Sequence, residues 1–120
     1  MTGKRILVIE DEFLIALEIT AALEQGGFSS VEQAASEKEA LKRITEERWD
    51  GVIADANLNG RSIDRIASLL GQRSIPFIVV TGYGKDTLPA AIGAAPVLEK
   101  PFHGAQLAKT LIDLLQGGTS

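Results

Sequence analysis

Short runs of apolar residues recur along the chain, and most of them are bounded by charged residues, glycine or proline. Runs of this length without polar alternation are typical of strands that are buried on both faces of a sheet. The second run is weaker, and Val31 is its surest core position. The pattern predicts five strands, at residues 5–9, 28–35, 51–54, 76–80 and 96–98.

The segments between these runs carry apolar residues three and four positions apart, which is the spacing of one helical face. Ser36 and Glu39 match a capping box and predict the start of the second helix. The fourth helix is the weakest, because it is short and contains Pro89. The predicted helices lie at residues 13–25, from 36 onward, at 63–70, at 85–92 and at 106–116.

Strand and helix thus alternate five times, which is the pattern of a parallel sheet with helices on both faces. Right-handed crossovers would connect the strands. A chain of 120 residues has the size of one domain and can bury one real core. We therefore expect a single, doubly wound α/β domain over residues 1–120.

The composition argues against several classes of protein. The formal net charge of -4 disfavours direct binding of nucleic acid. The absence of cysteine excludes disulfides and thiolate chemistry, and it fits the reducing cytoplasm. No apolar run has the length or flanks of a signal peptide or a membrane span, so we expect no membrane association.

Polar side chains follow the predicted strands at the points where these strands end. Glu10 and Asp11 follow the first strand, Asp55 the third, Thr81 the fourth and Lys100 the fifth. In an open parallel sheet these ends lie side by side. Clustered carboxylates repel one another unless a cation joins them, and Mg²⁺ prefers such oxygen ligands. Asp55 is then a plausible nucleophile for phosphoryl transfer, with Thr81 and Lys100 as donors to the phosphoryl oxygens.

Four short motifs stand in a fixed order over nearly the whole chain. Each motif is weak alone, but the ordered set resembles the receiver domain of bacterial two-component response regulators. The motifs are Val8-Ile9-Glu10-Asp11-Glu12, Asp55 with Leu58 and Gly60, Thr81, and Lys100-Pro101-Phe102.

The resemblance implies a flavodoxin-like fold with strand order 2-1-3-4-5 and a cis peptide bond before Pro101. It also implies that Asp55 accepts a phosphoryl group from a sensor histidine kinase. Asp11 and Asp55 would bind Mg²⁺, Glu10 would act through water, and the backbone carbonyl of Asn57 would be a further ligand. By the same resemblance, Thr81 and Lys100 would hold the phosphoryl oxygens. Such a domain signals by protein contact, and its only catalysis is its own phosphorylation and dephosphorylation.

The chain departs from the usual receiver pattern at three positions. Asn59 stands where many receivers have proline, Ile63 where a glycine is usual, and Val97 where an aromatic switch residue is typical. The run Phe-Ile-Val-Val-Thr-Gly-Tyr-Gly at 77–84 resembles the FATGUY branch of receivers, which are often single-domain proteins. In this branch the loop Tyr83 would replace the missing aromatic residue, residues 82–93 would order on phosphorylation, and the kinase would be of the HWE type.

Simpler interpretations and other functions stay open at this stage. Asp55 could cap a turn, and Glu10 and Asp11 could favour the positive end of a helix. The domain could be a pseudo-receiver that binds proteins without phosphorylation, or a small phosphatase with an aspartate nucleophile, although Asn57 stands where such enzymes need an acid. A nucleotide-binding protein ranks last, because no glycine-rich loop follows the first strand. The sequence does not choose between a phosphate sink, a shuttle and an effector.

Overall fold

The computed structural model describes residues 3–82 and 88–117. Its main sheet has five strands, paired in parallel in the order β2-β1-β3-β6-β7. Counted within that sheet, this is the predicted order 2-1-3-4-5. In chain order the elements are β1 (Arg5–Ile9), α1 (Phe13–Gln25), β2 (Ser30–Ala34), α2 (Glu37–Glu46), β3 (Gly51–Asp55), β4 (Asn57–Leu58), β5 (Arg61–Ser62), α3 (Asp64–Gln72), β6 (Phe77–Thr81), a 3₁₀ turn (Ala90–Ile92), β7 (Val97–Glu99) and α4 (Gly104–Leu115).

Helices cover both faces of the sheet, because the inner strands are apolar between a few polar residues at their ends. Side chains alternate between the faces along β1, so Ile6 and Val8 face one layer while Leu7 and Ile9 face the other. The first layer contains α1 and α4, and the second contains α2 and α3. All four of these β1 side chains are fully buried. The predicted doubly wound α/β class is therefore confirmed.

Local chemistry fixes the start of α2 as the sequence predicts. The Ser36 side chain accepts a hydrogen bond from the backbone N–H of Glu39 at 3.1 Å. The Glu39 carboxylate in turn accepts from the N–H of Ala35 at 3.0 Å, one residue earlier than in the usual capping box. These two bonds satisfy donors at the helix start and hold the loop between β2 and α2.

Two predicted elements differ from the structure. The second strand begins at Ser30, although Phe28 before it is buried, and Val31 is only partly buried because β2 is an edge strand. Residues 85–87 of the predicted fourth helix lie outside the described part of the chain. In its described remainder a single 3₁₀ turn replaces the helix, since Pro89 precedes the turn in an extended conformation.

The antiparallel pair β4–β5 is not predicted by the apolar pattern. Leu58 pairs with Arg61 and Asn57 with Ser62, so only Asn59 and Gly60 form the turn. Both turn residues have positive φ, at 54° and 78°, as a type I′ turn requires. The Asn-Gly dipeptide is a strong sequence signal for such a hairpin, and it stands four and five residues after Asp55.

Candidate functional site

Three polar side chains are buried where the central strands end. Glu10 directly follows β1, Asp55 is the last residue of β3 and Thr81 is the last residue of β6. Their exposed fractions are 2%, 6% and 1%. Parallel pairing sets these positions, because Ile9 pairs with Ala54 and Asp55 pairs with Val80. The sheet therefore delivers two carboxylates and a hydroxyl to one edge, as the sequence predicts.

Lys100 completes this edge from the neighbouring strand. Its ammonium nitrogen lies 3.5 Å from Glu10 Oε1 and 3.6 Å from Asp55 Oδ1. The backbone N–H of Lys100 donates to the Thr81 carbonyl at 2.8 Å, which places the lysine directly beyond the end of β7. The peptide bond between Lys100 and Pro101 is cis, as the resemblance implies. Lys100 thus contacts both buried carboxylates.

The three acids form a cluster whose size suits a small cation. Oxygens of Glu10, Asp11 and Asp55 all lie within 4.8 Å of one another. Two ligands on opposite sides of a bound Mg²⁺ are about 4.2 Å apart, which is twice the usual ligand distance. The oxygens are therefore close to the spacing that this ion imposes, and a carboxylate at the wider spacing can act through water. The donor set consists of hard oxygens, so the cluster fits Mg²⁺.

Crowding of these acids changes the proton affinity of Glu10. Burial of the side chain, together with the neighbouring Asp55 carboxylate, raises the pKa of Glu10 to about 7. The hydrogen bond from the Glu12 N–H, at 3.1 Å, and the charge of Lys100 act in the opposite direction. The cluster thus carries more negative charge than Lys100 alone balances, which is the condition that favours a divalent cation.

A cavity of about 310 Å³ opens beside Asp55 and leads to solvent. Asn57, Gly82 and Lys100 line it together with the exposed Glu12. The backbone N–H of Asn57 donates to Asp55 Oδ1 at 3.1 Å, which holds the carboxylate in place. A side chain at Gly82 would contact nothing within 4 Å, so this glycine keeps the approach to Thr81 open.

Val97, His103 and Trp49 lie outside the acidic cluster. Tyr83 is outside the described residues. Val97 is partly buried and packs against the α2–α3 layer. Its small side chain has no aromatic ring that could move between buried and exposed positions. His103 is an exposed residue at the start of α4. Trp49 lies just before β3, at the amino-terminal end of the strand, six residues before Asp55. It is therefore about 20 Å from the acids along the direction of β3.

The hairpin turn is the feature of the site that the motif pattern did not indicate. Asn59 was noted in the sequence only as a departure from proline, and its positive φ now explains the difference. Proline is restricted to φ near -65°, so it cannot occupy this turn. The Asn-Gly dipeptide was the sequence signal that could have revealed the hairpin.

The fold and the cluster of acids at the carboxyl ends of the strands define a flavodoxin-like domain with a candidate metal site. A family model described as the response regulator receiver domain matches residues 6–112. The chain belongs to this family. No helix within residues 3–82 and 88–117 combines the length and apolar character needed to cross a membrane.

Known proteins similar to the chain agree with this assignment. The transcriptional regulatory protein PdtaR of Mycobacterium tuberculosis is 31% identical over 108 residues, which cover 87% of this chain and 53% of PdtaR. The chain thus spans about half the length of this relative. The solution structure of SdrG from Sphingomonas melonis matches at 35% identity with a TM-score of 0.79, covering 93% of this chain and 96% of SdrG. A CheY-like receiver from Methanospirillum hungatei has a TM-score of 0.84 at 26% identity, covering 95% and 94%.

Proposed function

We propose that this receiver domain accepts a phosphoryl group on Asp55 from a sensor histidine kinase and passes the signal on by protein contact. The observation that carries the proposal is the position of Asp55. Its buried carboxylate lies within 4.8 Å of two further acids and 3.6 Å from Lys100. A structural aspartate has no need of this arrangement, whereas a phosphoacceptor requires a nucleophile beside groups that neutralise phosphate charge.

In the proposed reaction a carboxylate oxygen of Asp55 attacks the phosphorus of a phosphohistidine. The new O–P bond forms as the P–N bond breaks, and the imidazole of the donor leaves with the electron pair. Lys100 donates to a phosphoryl oxygen in place of its present contact with Asp55, and the Thr81 hydroxyl donates to another. Mg²⁺, held by Glu10, Asp11, Asp55 and the Asn57 carbonyl, would supply the positive charge that offsets the developing negative charge.

The donor is expected to be another protein, because the only histidine of the chain does not lie at the acids. His103 stands at the start of α4, exposed to solvent. The FATGUY-like run at 77–84 supports a kinase of the HWE type as the donor. The cytoplasm is the compartment in which such a kinase domain presents its phosphohistidine, and we propose it for this chain.

Labelling by a small phosphodonor tests the proposal directly. We expect acetyl phosphate to add one phosphoryl group in the presence of Mg²⁺, and mass spectrometry detects the added mass.

Asp11→Ala should weaken Mg²⁺ binding about tenfold or more, because it removes one acid of the cluster. Bound Mg²⁺ should also stabilise the native domain, by about 2.7 kcal/mol at a hundredfold excess over Kd.

The matched control for Asp11→Ala is Glu12→Ala. It removes the same charge from the next residue, which is exposed and lies outside the cluster. It also keeps the backbone N–H of residue 12, which donates a hydrogen bond to the Glu10 carboxylate. Equal losses of Mg²⁺ affinity in the two variants would contradict the role of Asp11. A domain that takes no label with Mg²⁺ present would instead be a pseudo-receiver that acts through protein binding alone.

We further propose that Tyr83 takes the place of the missing aromatic switch residue. The support is the 88–93 segment, which packs Leu88 and Ile92 against the α2–α3 layer through partly buried contacts. A single 3₁₀ turn is less costly to rearrange than a helix, because it contains few internal hydrogen bonds. Phosphorylation would draw Thr81 toward the phosphoryl group and reorder this segment.

Hydrogen exchange tests the switch. We expect residues 88–93 to gain protection when beryllofluoride, a phosphoryl mimic, is added with Mg²⁺. Tyr83→Ala should lose this response, whereas Tyr83→Phe should keep it because the ring is retained. The same gain of protection in Tyr83→Ala as in the parent would rule out the proposed role.

A further inference from the structure

The hairpin formed by β4 and β5 is held rigidly beside Asp55. Leu58 within it and Ile63 directly after it are buried at 1% and 0% exposure. The tip is tied to the β2–α2 loop, where the Asn59 side-chain amide donates to the Ala35 carbonyl at 3.5 Å. Ser62 at the far end accepts from the Asp64 N–H at 3.1 Å and joins the hairpin to the start of α3. The hairpin is therefore anchored at three points.

The pairing of this hairpin fixes the direction of the Asn57 backbone. Only two residues separate Leu58 from Arg61, so these two form the hydrogen-bonded pair that closes the turn. Asn57 and Ser62 are the next pair, and in an antiparallel ladder that pair points its N–H and C=O groups away from the partner strand. The Asn57 N–H accordingly reaches Asp55 Oδ1 at 3.1 Å. The Asn57 carbonyl lies on the same edge of the hairpin.

We propose that Asn59 and Gly60 are positioning residues for the metal and phosphoryl site, acting through the backbone of Asn57. The inference rests on the proposed function, because it concerns a carbonyl that would bind Mg²⁺. A type I′ turn sets the register of the hairpin, and a different turn would rotate the Asn57 peptide group away from Asp55. Asn59 and Gly60 thus fix the geometry of the Asn57 backbone from outside the acidic cluster.

Gly60→Val is the decisive variant. Gly60 has φ of 78°, which a β-branched residue strongly disfavours, yet a Cβ there would contact nothing within 4 Å. The substitution therefore strains the turn through the backbone, while its Cβ meets no neighbouring atom within 4 Å. We expect Mg²⁺ affinity, measured by isothermal titration calorimetry, to fall about tenfold, as for loss of a residue that orients a metal ligand. Amide exchange at Asn57, measured by NMR without metal, should become faster because its bond to Asp55 is lost.

Two further variants separate positioning from general stability. Asn59→Gly loses the exposed 3.5 Å hydrogen bond to the Ala35 carbonyl, but glycine tolerates the positive φ that the turn requires. Because the turn geometry is retained, this variant should keep Mg²⁺ affinity within about twofold of the parent. Gly117→Val introduces the same kind of strain just after α4, where φ is 69° and a Cβ also meets nothing within 4 Å. The end of α4 lies beside the start of β3, away from the acids, because Leu115 is next to Gly51. Gly117→Val should lower the melting temperature without weakening Mg²⁺ binding or speeding exchange at Asn57.

The two measurements distinguish failure of this inference from failure of the proposed function. If Gly60→Val keeps the parental Mg²⁺ affinity and slow exchange at Asn57, the hairpin does not position the site. If the parent domain itself binds no Mg²⁺, the proposed metal role is wrong. In that case exchange at Asn57 in Gly60→Val still decides whether the hairpin holds this backbone group against Asp55.

Discussion

Asp55→Asn will abolish phosphoryl acceptance and will make the metal-free domain more stable. The amide is not a nucleophile, so no acyl phosphate can form. It keeps the size of the carboxylate and an oxygen that accepts from the Asn57 N–H, so the fold should be retained. Removing one of three crowded negative charges should raise the free energy of unfolding without Mg²⁺ on the order of 1 kcal/mol. Mass spectrometry after acetyl phosphate treatment and urea unfolding measure the two effects.

Asp50→Asn is the matched control at the other end of the same strand. Asp50 directly precedes β3, and its carboxylate accepts from the backbone N–H of Arg5 at 2.8 Å. This variant should accept a phosphoryl group as the parent does, and it should gain no stability because Asp50 lies outside the acidic cluster. Labelling of Asp55→Asn at parental stoichiometry would refute the assignment of the phosphoacceptor.

Trp49→Ala will cause the largest loss of stability among single substitutions away from the site. The indole is 4% exposed, and the guanidinium carbons of Arg5 and Arg43 lie over the ring at 4.2 and 5.0 Å from its centre. Its N–H donates to the Arg43 carbonyl at 3.0 Å. Truncation of a buried tryptophan costs about 3–5 kcal/mol, against about 5–15 kcal/mol for a whole domain. Urea unfolding followed by circular dichroism measures the loss.

The ion pairs around this tryptophan should contribute far less than the ring. Arg5 and Arg43 both pair with Glu32, whose side chain is 40% exposed, and with Glu47. Exposed pairs are screened by solvent, so Glu32→Gln should lower the free energy of unfolding by less than about 1 kcal/mol. If Glu32→Gln lowers the free energy of unfolding as much as Trp49→Ala does, charge rather than burial of the ring stabilises this end of the sheet.

Trp49 also shows how sequence position and spatial position differ. The sequence places it close to Asp55, which suggests its fluorescence as a reporter of Mg²⁺ binding. The strand β3 between them is extended, so the ring lies near the amino-terminal ends of the strands while Asp55 lies at their carboxyl ends. Calorimetry and NMR are therefore the better measurements of Mg²⁺ binding in this domain.

The sequence by itself determined the architecture, and it predicted which polar side chains gather at the carboxyl ends of the strands. Apolar runs of strand length alternate with segments of helical periodicity, and this pattern predicts a doubly wound parallel sheet. Such a sheet brings the residues that follow its strands together at the carboxyl ends of those strands. Glu10, Asp11, Asp55, Thr81 and Lys100 each follow or end a strand, so their order in the chain was enough to predict that they meet. The capping box at Ser36 was equally readable, because its chemistry is local.

Only the tertiary structure decided the features that depend on contacts between distant segments. The 3₁₀ turn at Ala90–Ile92 replaces a predicted helix because Pro89 is extended and the segment packs against the sheet through only a few side chains. The separation of 3.6 Å between Lys100 and Asp55 results from strand pairing and not from any local pattern. The direction of the Asn57 backbone follows from the β4–β5 hairpin. The Asn-Gly dipeptide predicts the turn of this hairpin, but its contact with Ala35 and the burial of Leu58 depend on tertiary packing. Local chemistry selects each element, whereas burial and pairing across the sheet set the distances on which the proposed phosphoryl chemistry depends.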